Sequence, residues 1–131
     1  MTLTHVNPTS MHHNPAFAQG VLIDGPGSLL VVGGQNGVDA SGRVVSEDAG
    51  EQTVQALRNV VTVLESAGCT QADVARLAIY LAQGVDVNAA YAAAQTVWGP
   101  HPTAITVLFV SDVGPEGALV EIEALVQVPA R

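Results

Sequence analysis

Apolar positions in the first third of the chain come in short runs punctuated by glycine. "FAQGVLIDG" predicts a strand running into a turn, and "SLLVVGGQ" a mostly buried strand that ends in glycines. "DASG" marks a tight turn. From about Asp48 the period lengthens: Val54, Leu57, Val61 and Leu64 recur at three- and four-residue spacing, which predicts an amphipathic helix. Ser46 or Asp48 can cap its start, Glu47 and Glu51 suit the positive end of its dipole, and Gly68 can end it. "DVARLAIYL" is the next strand. A second helix is expected from near Asp86, with Val87, Tyr91, Ala94 and Trp98 along one face and Gly99-Pro100 stopping it. Two strands follow at about 104–110 and 119–128, joined by "SDVGPEG", and a short strand near Leu3–Val6 precedes them all. This order describes one α+β domain over residues 1–131 with both helices on one face of the sheet. The other face then needs a cover, and another subunit is the simplest one.

The last strand carries the same expectation. Val120, Ile122, Ala124 and Val126 form a face suited to packing under helices, while Leu119, Glu121, Glu123 and Leu125 form the other. Two acids between leucines fit an interface with a polar centre better than a solvated surface. They also raise a question: which group faces Glu121 and Glu123?

Composition sharpens this. Charged residues make up 12% of the 131 residues, about half the ordinary fraction, against 48% hydrophobic ones, so part of the surface is expected to be hidden in an oligomer. The net charge is −8 with no lysine, and the cations are Arg43, Arg58, Arg76 and Arg131, scattered along the chain. Nucleic-acid binding needs clustered basic surface, so no nucleic-acid partner is expected. No apolar run approaches the roughly 20 residues of a membrane span, and the N-terminal stretch lacks the basic start and apolar core of a secretory signal. With a single cysteine, Cys69, a cytoplasmic protein without an internal disulfide is expected.

Few motifs carry chemistry. "GGQNG" at 33–37 lacks both the GK[ST] ending of a phosphate loop and a helix directly after it. Its glycines instead suit close approach of a small ligand to the backbone, with Gln35 supplying an amide. The four histidines have no metal-ligand spacing, so neither metal nor cofactor is expected. Cys69 has no basic sequence neighbour to activate it, and no nucleophile elbow is present.

The blocks "NPAFAQGV", "VVGGQNGVD", "EQTVQALRNVVTVLESAG", "DVARLAIYL", "VNAAY", "HPTAITV" and "GPEGALVEIEAL" together resemble the Rid (YjgF) family of reactive-intermediate deaminases, also labelled L-PSP endoribonucleases. The resemblance spans nearly the whole chain and is most specific at Pro115, Gly117, Glu121 and Ile122. It implies a chorismate-mutase-like fold with a mixed six-stranded sheet, assembled as a homotrimer around a central barrel, with small-molecule sites in clefts between subunits.

Archetypal members hydrolyse 2-imino acids to 2-keto acids and ammonia, holding the substrate carboxylate with an arginine in an "ARS" or "ART" run. Here the matching run is "AIT", which puts Ile105 at the arginine position. Phe17 in "AFAQ" stands where the family has a tyrosine, and Gly33 where it has a serine. The resemblance therefore implies Glu121 as the water-handling acid, with Phe17, Gly33, Gly34, Gln35, Asn88, Ile105 and Val107 as substrate-binding positions. Without the arginine, a buried substrate carboxylate would be left unpaired at a cost of about 3–5 kcal/mol. The expected enzyme hydrolyses or tautomerises a neutral, more apolar imine or enamine, with Glu121 as general acid–base. The alternative is a non-catalytic metabolite-binding or regulatory trimer on the same scaffold. Ribonuclease activity is disfavoured by the missing lysines and the acidic charge.

Overall fold

Asp48 opens the first helix: its carboxylate accepts from the Glu51 amide at 2.9 Å. Ser46, the other candidate, instead accepts from the Asp48 amide and donates to the Glu51 carboxylate, both at 2.9 Å, so the two residues form one cap. In the computed structural model, which describes residues 2–130, the elements follow the expected order. They are β1 (Thr2–Val6), β2 (Gly20–Asp24), β3 (Gly27–Asn36), α1 (Ala49–Ser66), β4 (Val74–Ala82), α2 (Val87–Trp98), β5 (Ala104–Val110) and β6 (Val120–Pro129). Arg131, one of the cations named above, lies outside the described residues.

The six strands do not form one sheet, which corrects the expected six-stranded arrangement. Four make a mixed sheet in the order β3-β6-β4-β5, with β4 and β5 parallel and the other pairs antiparallel, while β1 and β2 form a separate antiparallel pair. The break falls at Gly25-Pro26-Gly27. The two glycines adopt φ of 86° and 143°, and the proline between them has no amide hydrogen to donate. β2 therefore ladders with β1 rather than with β3, and a single parallel bridge from Ala18 to Ala104 ties that segment to β5.

α1 lies on β3 and β6 and packs against α2 on its flank. Leu57, Val60 and Leu64 of α1 meet Leu77, Leu81, Val120, Ile122 and Val126 of the sheet in the core. The expected stripe is rotated by one position, because Gln52 and Thr53 are buried while Val54 and Val61 are only half-buried. Gln52 explains the shift. It is fully buried, its amide donates to the carbonyls of Ser46 (2.8 Å) and Gly117 (2.9 Å), and its side-chain oxygen accepts from the Leu119 amide at 2.8 Å. A buried glutamine with its amide satisfied on both sides carries no unpaired polar group. It fixes the segment that leads into β6, and so the register of Glu121.

The second helix differs more from expectation. Asp86 caps α2 by accepting from the Asn88 and Ala89 amides. Of its apolar face, Trp98 is buried, but Val87 and Tyr91 are 39% and 46% exposed. That face does not close onto the sheet.

Candidate functional site

Both faces of the four-stranded sheet carry candidate chemistry, and the strand register separates them. Ile122, Ile79 and Val107 stand side by side across β6, β4 and β5, as do Ala124, Leu77 and Ile105. These rows face the helices. One residue out of step, Asn36, Glu121, Tyr80 and Leu108 form a row from β3 to β5 on the opposite, outer face.

On the helix side, between α2 and the β5 half of the sheet, lies a cavity of about 730 Å³. Phe17, Asn88, Ile105 and Val107 all border it, so four of the eight expected site residues come together here within one chain. Asn88 sits in the first turn of α2, where the Asp86 cap fixes the backbone. Phe17 is presented by a turn in which the Asn14 side chain accepts from the Ala16 amide at 2.8 Å, with the His12 ring 6.2 Å from the Phe17 ring. Trp98, absent from the sequence-based list, also lines this cavity, its indole N–H donating to the His101 carbonyl at 3.0 Å.

Gly33, Gly34, Gln35 and Glu121 do not border that cavity. Glu121 opens instead into a shallow cleft on the outer face, shared with Tyr80, Asp112 and Glu123. Phe17 and Ile105, expected in one site with Glu121, are therefore not beside it in a single chain, because Ile105 lies on the other side of the sheet. An arginine at position 105 would not face Glu121 of the same chain either.

The side chains that donate hydrogen bonds to the two acids are neutral. The Asn36 amide donates to the Val120 carbonyl at 2.9 Å and, more weakly, to the Glu121 carboxylate at 3.4 Å. Asn59 of α1 holds the Asn36 and Val38 carbonyls at 3.1 and 3.0 Å, which fixes that backbone. The Tyr80 hydroxyl donates to Glu123 at 2.6 Å, and this bond, with burial and the Glu123 charge, raises the phenol pKa above its ordinary value. Arg76 acts on the same phenol in the opposite sense. Glu123 is thus engaged by its partner, while among the described residues Glu121 has only the weak contact from Asn36.

Gly34, beside Glu121, has a structural reason. β3 carries a register irregularity between Val32 and Gln35, and a side chain at Gly34 would put a Cβ 2.7 Å from the Glu121 carboxyl carbon. Gly34 lets the β3 backbone lie against that carboxylate; a larger residue would make the Glu121 side chain move. Gly33 has open space around it, and the Gln35 amide turns back to the Gly33 carbonyl at 3.1 Å. Sequence reasoning missed Asn36 and Tyr80; the "QN" dipeptide and a lone tyrosine in an apolar strand were the only signals, and both need the register to be read.

A family model described as endoribonuclease L-PSP matches residues 10–128. The 2-iminobutanoate/2-iminopropanoate deaminase of Rattus norvegicus is 33% identical over 111 residues, covering 84% of this chain and 78% of that one. The human protein of the same name is 31% identical over 110 residues, covering 83% and 77%. Among solved structures, a protein of unknown function of the conserved Rid family, YyfB from Yersinia pestis, superposes with a TM-score of 0.84 at 30% identity, covering 98% of this chain and all of that one. The YjgF gene product of E. coli gives a TM-score of 0.69 at 25% identity, covering 86% and 91%.

Proposed function

The chain belongs to the endoribonuclease L-PSP (Rid) family, and on that premise we propose that it is an imine- or enamine-processing enzyme whose site is completed only between chains. One observation carries the reading. The substrate-binding positions Phe17, Asn88, Ile105 and Val107 border the helix-side cavity, while Glu121 lies on the outer face of the same sheet. A chain cannot bring its own Glu121 to its own cavity, so a second copy must supply one of them. The outer face supports the same arrangement: Leu29, Val31 and Leu108 are 58%, 68% and 50% exposed, an apolar surface of the kind that marks an interface. A homotrimer with one such site per interface is the assembly we propose, in the cytoplasm and with no nucleic-acid partner.

In the reaction, Asn88 and the Gln35 amide orient the imine, and Glu121 takes a proton from water as the oxygen adds to the C=N carbon. The same carboxyl returns the proton to nitrogen. Glu121 then moves the new hydroxyl's proton to nitrogen as the C–N bond breaks and the C=O bond forms, which leaves a carbonyl compound and ammonia and returns the carboxylate. The curated relatives are named for 2-iminobutanoate and 2-iminopropanoate. With Ile105 at the clamp position, this chain has no guanidinium there for such a carboxylate.

The test is kinetic. Light scattering should report three chains, and 2-iminopropanoate generated in situ should be a poor substrate. Glu121→Gln should slow turnover of an active neutral imine by about 10²–10⁴-fold. If Glu121→Gln weakens the trimer and leaves turnover untouched, the glutamate is an interface residue. The non-catalytic binding reading then replaces this one.

A further inference from the structure

The helix-side cavity has more room than a small imino acid needs. At about 730 Å³ it lies in the upper part of the roughly 300–1,000 Å³ range that holds drug-sized ligands. Between Val87, Tyr91 and Trp98, α2 contributes only the small side chains of Ala90 and Ala94 to the lining, and Leu57, Leu77 and Leu81 line the cavity from α1 and the sheet. Protein interiors normally close such space, since voids forfeit dispersion contacts and cost stability. An apolar cavity of only about 150 Å³ already takes up benzene.

The lining also grades with depth. Leu57, Leu77, Leu81, Ala90 and Trp98 are buried, whereas Asn88, Tyr91 and Gln95 are exposed, so the floor is apolar apart from Thr53, whose hydroxyl is satisfied by the Ala49 carbonyl at 2.7 Å, and the other polar groups stand at the mouth. The Trp98 indole N–H is already satisfied by the His101 carbonyl at 3.0 Å, which leaves the ring itself as an apolar wall. Among the described residues, no Asp, Glu, Lys or Arg lines the cavity. A charged group carried to that floor would be desolvated without a partner.

From these features we infer that the cavity takes a neutral molecule with a bulky aromatic or branched apolar group. The apolar part inserts beneath α2 against Trp98, and the reactive polar end stays at the mouth beside Asn88. This rests on the proposed reading of the cavity as the substrate end of the site, but it is a statement about binding, so it is tested without turnover.

Trp98 is the only tryptophan, which makes it an internal reporter. The probe is N-phenyl-1-naphthylamine, a neutral fluorophore, compared with its sulfonated analogue 8-anilino-1-naphthalenesulfonate. The neutral dye should bind once per chain and quench Trp98 by energy transfer, and the anionic dye should bind at least about tenfold more weakly. Ala94→Leu, which fills the floor with a good helix former, should weaken the neutral dye by at least about tenfold. Val107→Phe, a change at a 42% exposed position of the mouth, should weaken it too and guards against an Ala94 variant that misfolds. Leu22→Ser, which alters an exposed apolar residue of the β1–β2 pair, should leave binding unchanged.

Equal binding of the two dyes, or loss with Leu22→Ser but not with the cavity variants, overturns the inference. Dye binding that is lost with Ala94→Leu while Glu121→Gln has no effect on any turnover leaves this inference standing and removes the enzyme reading. Glu121-dependent turnover of small imino acids that both cavity variants leave intact does the opposite.

Discussion

The two faces of the β3-β6-β4-β5 sheet are built to different degrees of completion. On β6, Val120, Ile122, Ala124 and Val126 are 0–5% exposed beneath the helices, whereas Leu119, Glu121, Glu123 and Leu125 on the other face are all half-buried. Around those acids, Leu29, Val31 and Leu108 present apolar side chains to water. Beneath α1 the helix face is a closed core, with the cavity confined to the α2 and β5 side; the outer face has the composition of an interface core with a polar centre. Chemistry is divided along the same line, with the cavity on one side and the acid on the other. The same period-two alternation that builds the core therefore also separates the halves of the proposed site.

Substitutions on the two faces should part company most clearly in stability. Ile122→Ala removes a fully buried side chain and should cost about 2–5 kcal/mol in denaturant unfolding. Val31→Ser should change assembly rather than folding: circular dichroism stays native-like while light scattering shifts toward smaller species. Equal loss of secondary structure from both would erase the distinction.

A smaller effect is expected at the joint between the faces. Gln52→Ala strips the partners from the Ser46 and Gly117 carbonyls and the Leu119 amide at the entry to β6. Each buried group left unsatisfied costs about 1–3 kcal/mol, reduced where water can reach it. Thermal unfolding measures the loss, and the position of Glu121 should loosen with it.

The mildest change is a titration on the outer face. Donation to Glu123 favours the protonated Tyr80 phenol and raises its folded pKa. Its contribution to stability is therefore fully present below the unfolded pKa of about 10 and is lost as pH rises through the folded value. Absorbance titration near 295 nm should show a late-ionising tyrosine that Tyr80→Phe removes.

What the sequence made legible follows from which contacts are local. The β6 alternation, the Asp48 and Asp86 caps and the glycine stops depend on near neighbours in the chain, and each element lies where its pattern predicts. Stripe periodicity on α2 was legible too, but its meaning was not: Val87, Tyr91, Ala94 and Trp98 recur as a core face would, and here they border a cavity. Period alone does not measure how far a helix stands from its sheet. Burial of Gln52 has no local signal, because its partners at Gly117 and Leu119 lie more than sixty positions away. Tyr80 and Glu123 meet across 43 positions, and Asn36 and Glu121 across 85, so both pairs depend on strand register. The family resemblance named Glu121 and Ile105 together, yet only the sheet reveals that one chain holds them on opposite faces.

That separation is the central claim, and it can be tested without any substrate. Glu121→Cys and Val107→Cys combined in one chain place thiols on opposite sides of the sheet, while the native Cys69 is buried. Treated with a short bismaleimide, the double variant should give covalently linked chains on a denaturing gel, well beyond what either single variant gives. Monomer bands alone, or equal linking by the single variants, would contradict a site shared between chains.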